Sequence, residues 1–217
     1  EAFMAGRIYF DGADNDPGDF GSSFAAALVG AGNKRLPQIY PHFSPTQVLP
    51  GELAQLTVTP LSGPNRKFFE GELGILGEDA GKIVATCSGS IPVRVFEIIE
   101  RQPGLSGAVL LKHFAAPPFG YPGNVVKACV AGLLHAGKVR LVPSGGDPIT
   151  SIGDPGAQDT LKSERGFKIT DVFPAGEQKI KVQDRNKIRA VFEKVFRRVV
   201  EPENEAIADA IGQILPP

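Results

Sequence analysis

The side chains best suited to chemistry are Asn124, Lys127 and His135 on one helical pattern, followed directly by Lys138 and Arg140 on a strand pattern. An amide can read a base edge, and ammonium and guanidinium groups hold phosphate oxygens. Their order is that of a winged helix-turn-helix, in which one exposed helix lies against the major groove and an adjoining hairpin touches neighbouring phosphates. Asn124 is the candidate for a base edge and Lys127 for a phosphate, with Lys138 and Arg140 as phosphate contacts on the wing. Ala128 and Ala131 lie among the positions expected to be exposed, leave little direct readout, and would equally let another protein approach closely. A packing or protein-interaction module is therefore the competing reading. A later amphipathic helix offers a second basic face through Lys194, Arg197 and Arg198, a secondary candidate for a phosphate track.

Other chemistries fit poorly. Gly77-Glu78-Asp79-Ala80-Gly81-Lys82-Ile83 is one residue too short between its glycines for a P-loop and puts Ile83 where magnesium needs a hydroxyl, so it reads as a hairpin turn. Gly-x-Ser-x-Gly is absent, and His42, His113 and His135 have no serine or cysteine in a nucleophilic setting. Paired Cys or His at zinc spacing are missing. Asp11, Asp14, Asp16 and Asp19 lack the central Gly and distal Glu of a calcium loop and read as turn and capping residues. No catalytic residue, metal or cofactor is expected, and Cys87 and Cys129 read as buried thiols.

The elements that must position the basic residues are legible from periodicity. Ile91, Val95, Ile98 and Ile99 recur at helical spacing and stop before Pro103-Gly104. Ser106 is a cap for a second helix through Leu110, Leu111 and Phe114. A proline-rich bend, residues 117–123, leads into a third helix that starts near Gly123 and stops at Gly137. Wing strands are expected at 138–142 and about 148–152. Upstream, a strand at 6–10 precedes a helix capped by Asp19 and ending near Gly30 or Gly32. Residues 33–65 hold six of the 19 prolines and read as an extended connector with helical turns at 51–57. Downstream, a helical turn or two is expected at 160–165 and a strand at 167–173. Two further helices follow, one capped by Asp184 and one starting at Pro202. The fold class is α+β: an N-terminal α/β connector (1–89), a winged-helix core (90–152) and a C-terminal strand and helical extension (153–217).

The net charge of −1 conceals an uneven distribution. Residues 1–89 carry six basic and ten acidic side chains, 90–142 carry six and two, and 160–200 carry eleven and five. A basic surface attracts phosphate backbones through counterion release. No apolar run approaches the roughly 20 residues of a membrane span, so a cytoplasmic protein without a membrane partner is expected. Beginning at Glu1 with its one methionine at Met4, the chain reads as a fragment of a larger protein.

At Pro117-Pro118-Phe119-Gly120-Tyr121-Pro122, followed by Val125-Val126 and Leu133-Leu134-His135-Ala136-Gly137-Lys138-Val139-Arg140-Leu141, the chain resembles the large P-loop proteins of phage-exclusion systems. These are known as BrxC in BREX systems and PglY in phage growth limitation. Ile39-Tyr40-Pro41-His42-Phe43 is similar to the stretch that follows their ATPase portion. The resemblance spans residues 35–150. It implies a piece from outside the ATPase core of a defence protein that works with other subunits, a methyltransferase among them. The family's Walker motifs have no counterpart here, so ATP hydrolysis would belong to other parts of the parent. The function expected is binding or positioning of double-stranded DNA through its backbone; the alternative is a module that assembles the defence complex without touching DNA.

Overall fold

A computed structural model describes residues 4–10, 12–61, 64–176 and 182–197. The chain divides into two units, residues 1–175 and 176–217. The first is an α+β unit built from helices and small antiparallel sheets.

It begins with a hairpin of β1 (Ile8–Phe10) and β2 (Ala13–Asn15). Asp16 caps a 3-10 turn by accepting the Gly18 amide at 2.8 Å. Asp14 lies 3.9 Å from Arg7, so these acids serve the turn, as expected. Helix α1 (Phe24–Ile39) departs from expectation at both ends. Ser23 caps it in place of Asp19, and it runs straight through Gly30 and Gly32. Gly30 marks a close approach rather than a stop: a Cβ there would lie 2.2 Å from the Phe20 carbonyl oxygen.

Next come a short helix α2 (Pro50–Gln55) and the hairpin β3 (Leu76–Asp79) and β4 (Lys82–Ala85). Its two-residue turn, Ala80 and Gly81, has φ of 48° and 75°, the left-handed pair that suits a tight hairpin. The near-P-loop sequence is thus a turn, as its spacing predicts.

Three helices follow at the predicted places: α3 (Ser90–Arg101), α4 (Gly107–Ala115) and α5 (Gly123–His135). A two-residue strand β5 (Leu105–Ser106) precedes α4, and Ser106 Oγ accepts the Val109 amide. Strand β6 (Val139–Pro143) leaves α5. Its ladder partner is not 148–152, which contributes only a bridge between Leu141 and Ile149. The partner is β7 (Thr170–Pro174), so the sheet order is β5-β7-β6. Residues 144–169, with α6 (Ala157–Lys162) and α7 (Glu164–Lys168), are inserted between the two strands. Two glycines and two prolines at 143–148 mimic a hairpin turn locally, but Ala157, Leu161 and Phe167 are fully buried and draw the chain across the fold before it returns.

One continuous apolar core runs from Val48 to Val172 and joins the predicted connector to the three helices. In the second unit, α8 (Val182–Phe196) covers most of the predicted amphipathic helix but begins before Asp184, which therefore lies within the helix and does not cap it, and it stops short of Arg197. The Asp184 side chain, Arg198 and the helix expected from Pro202 lie outside the described residues.

Candidate nucleic-acid interface

Helix α5 was expected to present an exposed face. Instead, every residue from Val125 to Leu134 is buried, Lys127, Ala128 and Ala131 included. Ten successive positions with a single charge leave no polar stripe, and a helix apolar all round belongs inside a fold. That pattern is present in the sequence, but reading the alanines as an open small-residue face obscured it.

The segment before and within α2 covers α5, held by the very side chains proposed to touch DNA. Asn124 Nδ2 donates to the Val48 carbonyl at 3.0 Å. One helix length on, His135 Nε2 meets the Leu56 carbonyl at 2.9 Å. These two bonds tie residues 48–56 along α5 like a strap. Glu52 anchors the strap from its other side: its carboxylate accepts the Leu49 amide at 2.8 Å, Asn65 Nδ2 at 2.9 Å and Lys67 Nζ at 2.5 Å. Those donors hold its pKa below the ordinary carboxylate value.

A carbonyl oxygen only accepts, so His135 Nε2 must carry the proton. Burial lowers the His135 pKa from the ordinary 6.5, with the Leu56 bond opposing. Between that lowered value and 6.5 the unfolded chain binds more protons than the folded one. This stabilising contribution is therefore complete above pH 6.5 and is lost as pH falls into the window below it. One proton limits the slope to about 1.4 kcal/mol per pH unit. In urea titrations the unfolding free energy should fall between about pH 7.5 and pH 5.5, and fall less in His135→Gln. Equal falls in both proteins would remove His135 as the source.

The two wing cations are also engaged. Lys138 is exposed, with Nζ 3.5 Å from the Thr86 carbonyl and 6.0 Å from the Phe96 ring centroid. Arg140 is half-buried and lies 4.4 Å from the ring centroid of its cross-strand partner Phe173. Lys127 sits among a different set of neighbours, Gln47, Leu111 and Glu164. In the second unit Lys194 and Arg197 are exposed.

Elsewhere, burial dominates the reactive groups. The Cys87 thiol is pushed up to about 11 and the Cys129 thiol is also raised, so both stay protonated at neutral pH. His42 stacks on Phe119, and His113 contacts both Phe114 and Phe119. Among the described residues no group of three or more His, Cys, Asp or Glu could hold a metal ion, and no helix is long and apolar enough to cross a membrane.

A surface that sequence reasoning passed over lies on α1. Leu28, Val29 and Leu36 are each more than half exposed. Leu28, Gly32 and Leu36 succeed one another at i, i+4 spacing and so share a face. At the end of the helix Leu36, Pro37, Tyr40 and Phe43 line a groove of about 640 Å3 that reaches Gly120 in the proline-rich bend. The signal was available as helical spacing, but assigning 33–39 to an extended connector cut the stripe in half.

Comparisons with protein-family models, with curated proteins and with solved structures find no match.

Proposed function

We propose that residues 90–174 form a winged-helix trunk that works as a non-catalytic protein-interaction module rather than as a reader of duplex DNA. The element order helix, strand, helix, helix, strand, then the inserted α6 and α7, then a final strand, with a β5-β7-β6 sheet, supports the trunk reading. One observation carries the functional reading: α5 is buried on all sides under a strap bonded to Asn124 and His135. The helix that would enter the major groove has no face to offer it. The apolar stripe of α1 is a surface available to a partner, because contiguous exposed apolar area of this kind marks interaction sites.

The resemblance to BrxC and PglY proteins supports a partner within a phage-resistance assembly, its methyltransferase subunit being the first to test. Leu28→Asp with Leu36→Asp should weaken co-purification with that subunit at least about tenfold, since two apolar contacts are each replaced by a desolvated charge. Both sites are exposed, so stability should change by no more than about 0.5 kcal/mol each. Retardation of a duplex at low salt should be unaffected by Lys138→Ala and Arg140→Ala. Duplex binding that weakens steeply with salt and drops in that double variant would restore the DNA-backbone reading and overturn this one.

A further inference from the structure

Helix α1 is apolar on its outer side as well as its inner one. On the inner side Ala27 and Ala31 are buried, Gly30 admits the Phe20 carbonyl, and Lys34 lies over the Phe20 ring at 5.3 Å. At 3.6 residues per turn, Leu28, Val29, Gly32 and Leu36 fall on the opposite side, where the three large side chains are more than half exposed. The central core runs from Val48 onwards and takes no side chain from α1. A helix apolar on both sides calls for a neighbour on each.

Symmetry and charge narrow what that outer neighbour is. Leu28 and Leu36 stand four residues either side of Gly32, where a Cβ would meet only Leu36 Cδ1, 3.9 Å away. Rows at i, i+4 spacing are the ridges that interdigitate in the commonest class of helix packing, and a glycine at the centre lets a second backbone come close. Two antiparallel copies related by a two-fold axis at Gly32 would therefore set each Leu28 beside the other's Leu36, a self-complementary contact. Charge permits the same arrangement. The charged side chains of α1 are Lys34 and Arg35. Lys34 is on the inner side, and Arg35 is drawn to Asn15 Oδ1 at 2.7 Å and over the Phe10 ring at 5.0 Å, so no like charges meet across the axis.

Area sets the strength. Leu28, Val29, Leu36 and Phe43, the last lining the groove where the row ends, are each more than half exposed. At roughly 100 Å2 apiece, about half of what a large side chain buries, a pair removes roughly 800 Å2 from water. This is less than the roughly 1,200 Å2 at which stable interfaces begin, which selects an exchanging dimer over a permanent one.

We propose that α1 pairs with α1 of a second copy of this chain, antiparallel, with Gly32 on the two-fold axis. The proposal rests on the reading of α1 as a docking face and names its occupant when the chain is alone. A weak pair keeps the apolar face covered and gives way to a tighter partner.

Sedimentation equilibrium of the full chain should show monomer and dimer in exchange, with a dissociation constant of roughly 10–100 µM. Gly32→Glu and Gly32→Lys should each remain monomeric at concentrations where the native chain is dimeric, because the axis sets two like charges face to face. Mixed in equal amounts the two variants should pair again, since the same axis then joins opposite charges. Gly32 faces open space outside the core, so circular dichroism of both variants should match that of the native chain. A monomeric native chain, undiminished dimer in either variant alone, or a mixture that stays monomeric would each overturn the proposal. Co-purification with the methyltransferase subunit is read separately. A monomeric native chain that still loses that subunit in Leu28→Asp with Leu36→Asp removes the pairing and leaves α1 as a docking face; a dimer that never captures the subunit does the reverse.

Discussion

Gly107→Ala should destabilise the protein by about 3 kcal/mol, the upper end of ordinary overpacking, and lower its urea midpoint by about 1–3 M. A Cβ at Gly107 would lie 2.1 Å from the Phe167 carbonyl oxygen and 2.8 Å from its carbon. Both atoms are backbone, so no rotamer change relieves the contact, and the start of α4 must part from α7. Alanine is otherwise the better helix residue by about 0.5–1 kcal/mol, so a net loss reports the contact alone. Gly123→Ala is the matched control. Gly123 is likewise the first residue of its helix, but a Cβ there meets only Leu111 Cδ2 at 3.5 Å. Its stability should stay within about 0.5 kcal/mol of the native chain. An unchanged midpoint in Gly107→Ala would mean that the 144–169 insertion is not seated on α4.

Local chemistry marked the three helices well. Ser106, Gly123 and Gly137 delimit α4 and α5, and apolar residues at i, i+4 spacing give α3 its buried Ile91, Val95 and Ile99. What covers those helices was not legible, because coverage depends on contacts between distant residues. Asn124 and His135 look like polar tips on a solvated face, yet each is satisfied by a carbonyl more than 70 residues away. The second wing strand was misplaced for a related reason. Ile149 does pair with Leu141, but only as a bridge, and the full ladder waits for residues 170–174. In α1 two glycines resembled a stop, while Gly30 is there to let the Phe20 carbonyl come close. The basic excess of 90–142 is real, but Arg140 lies over Phe173 and Lys127 is buried, so a count of charges overstated the positive surface.

Phe114→Ala should cost about 3–5 kcal/mol, the range for removing a fully buried aromatic ring. Against a total stability of order 5–15 kcal/mol this is a large share. Phe114 is fully buried, stacks on Tyr121 at 5.7 Å and meets Phe119 at 4.8 Å between centroids. Phe119 in turn contacts His42 and His113. The ring is thus the hub that fixes the proline-rich bend to α4 and to the segment after α1. The Tyr121 amide donates to the Phe114 carbonyl at 2.7 Å and the His42 amide to the Pro118 carbonyl at 3.1 Å, so the backbone follows the same path as the rings. Tyr121→Phe separates packing from polarity. It keeps every ring and removes only the hydroxyl that accepts from Arg94 Nη1 at 3.0 Å, a loss of about 1 kcal/mol. If packing holds the bend, Phe114→Ala destabilises several-fold more than Tyr121→Phe and also loosens the groove of Leu36, Tyr40 and Phe43, weakening whatever α1 binds. Comparable losses in the two variants would instead make the Arg94 bond the element that seats the bend, with the ring cluster as filling around it.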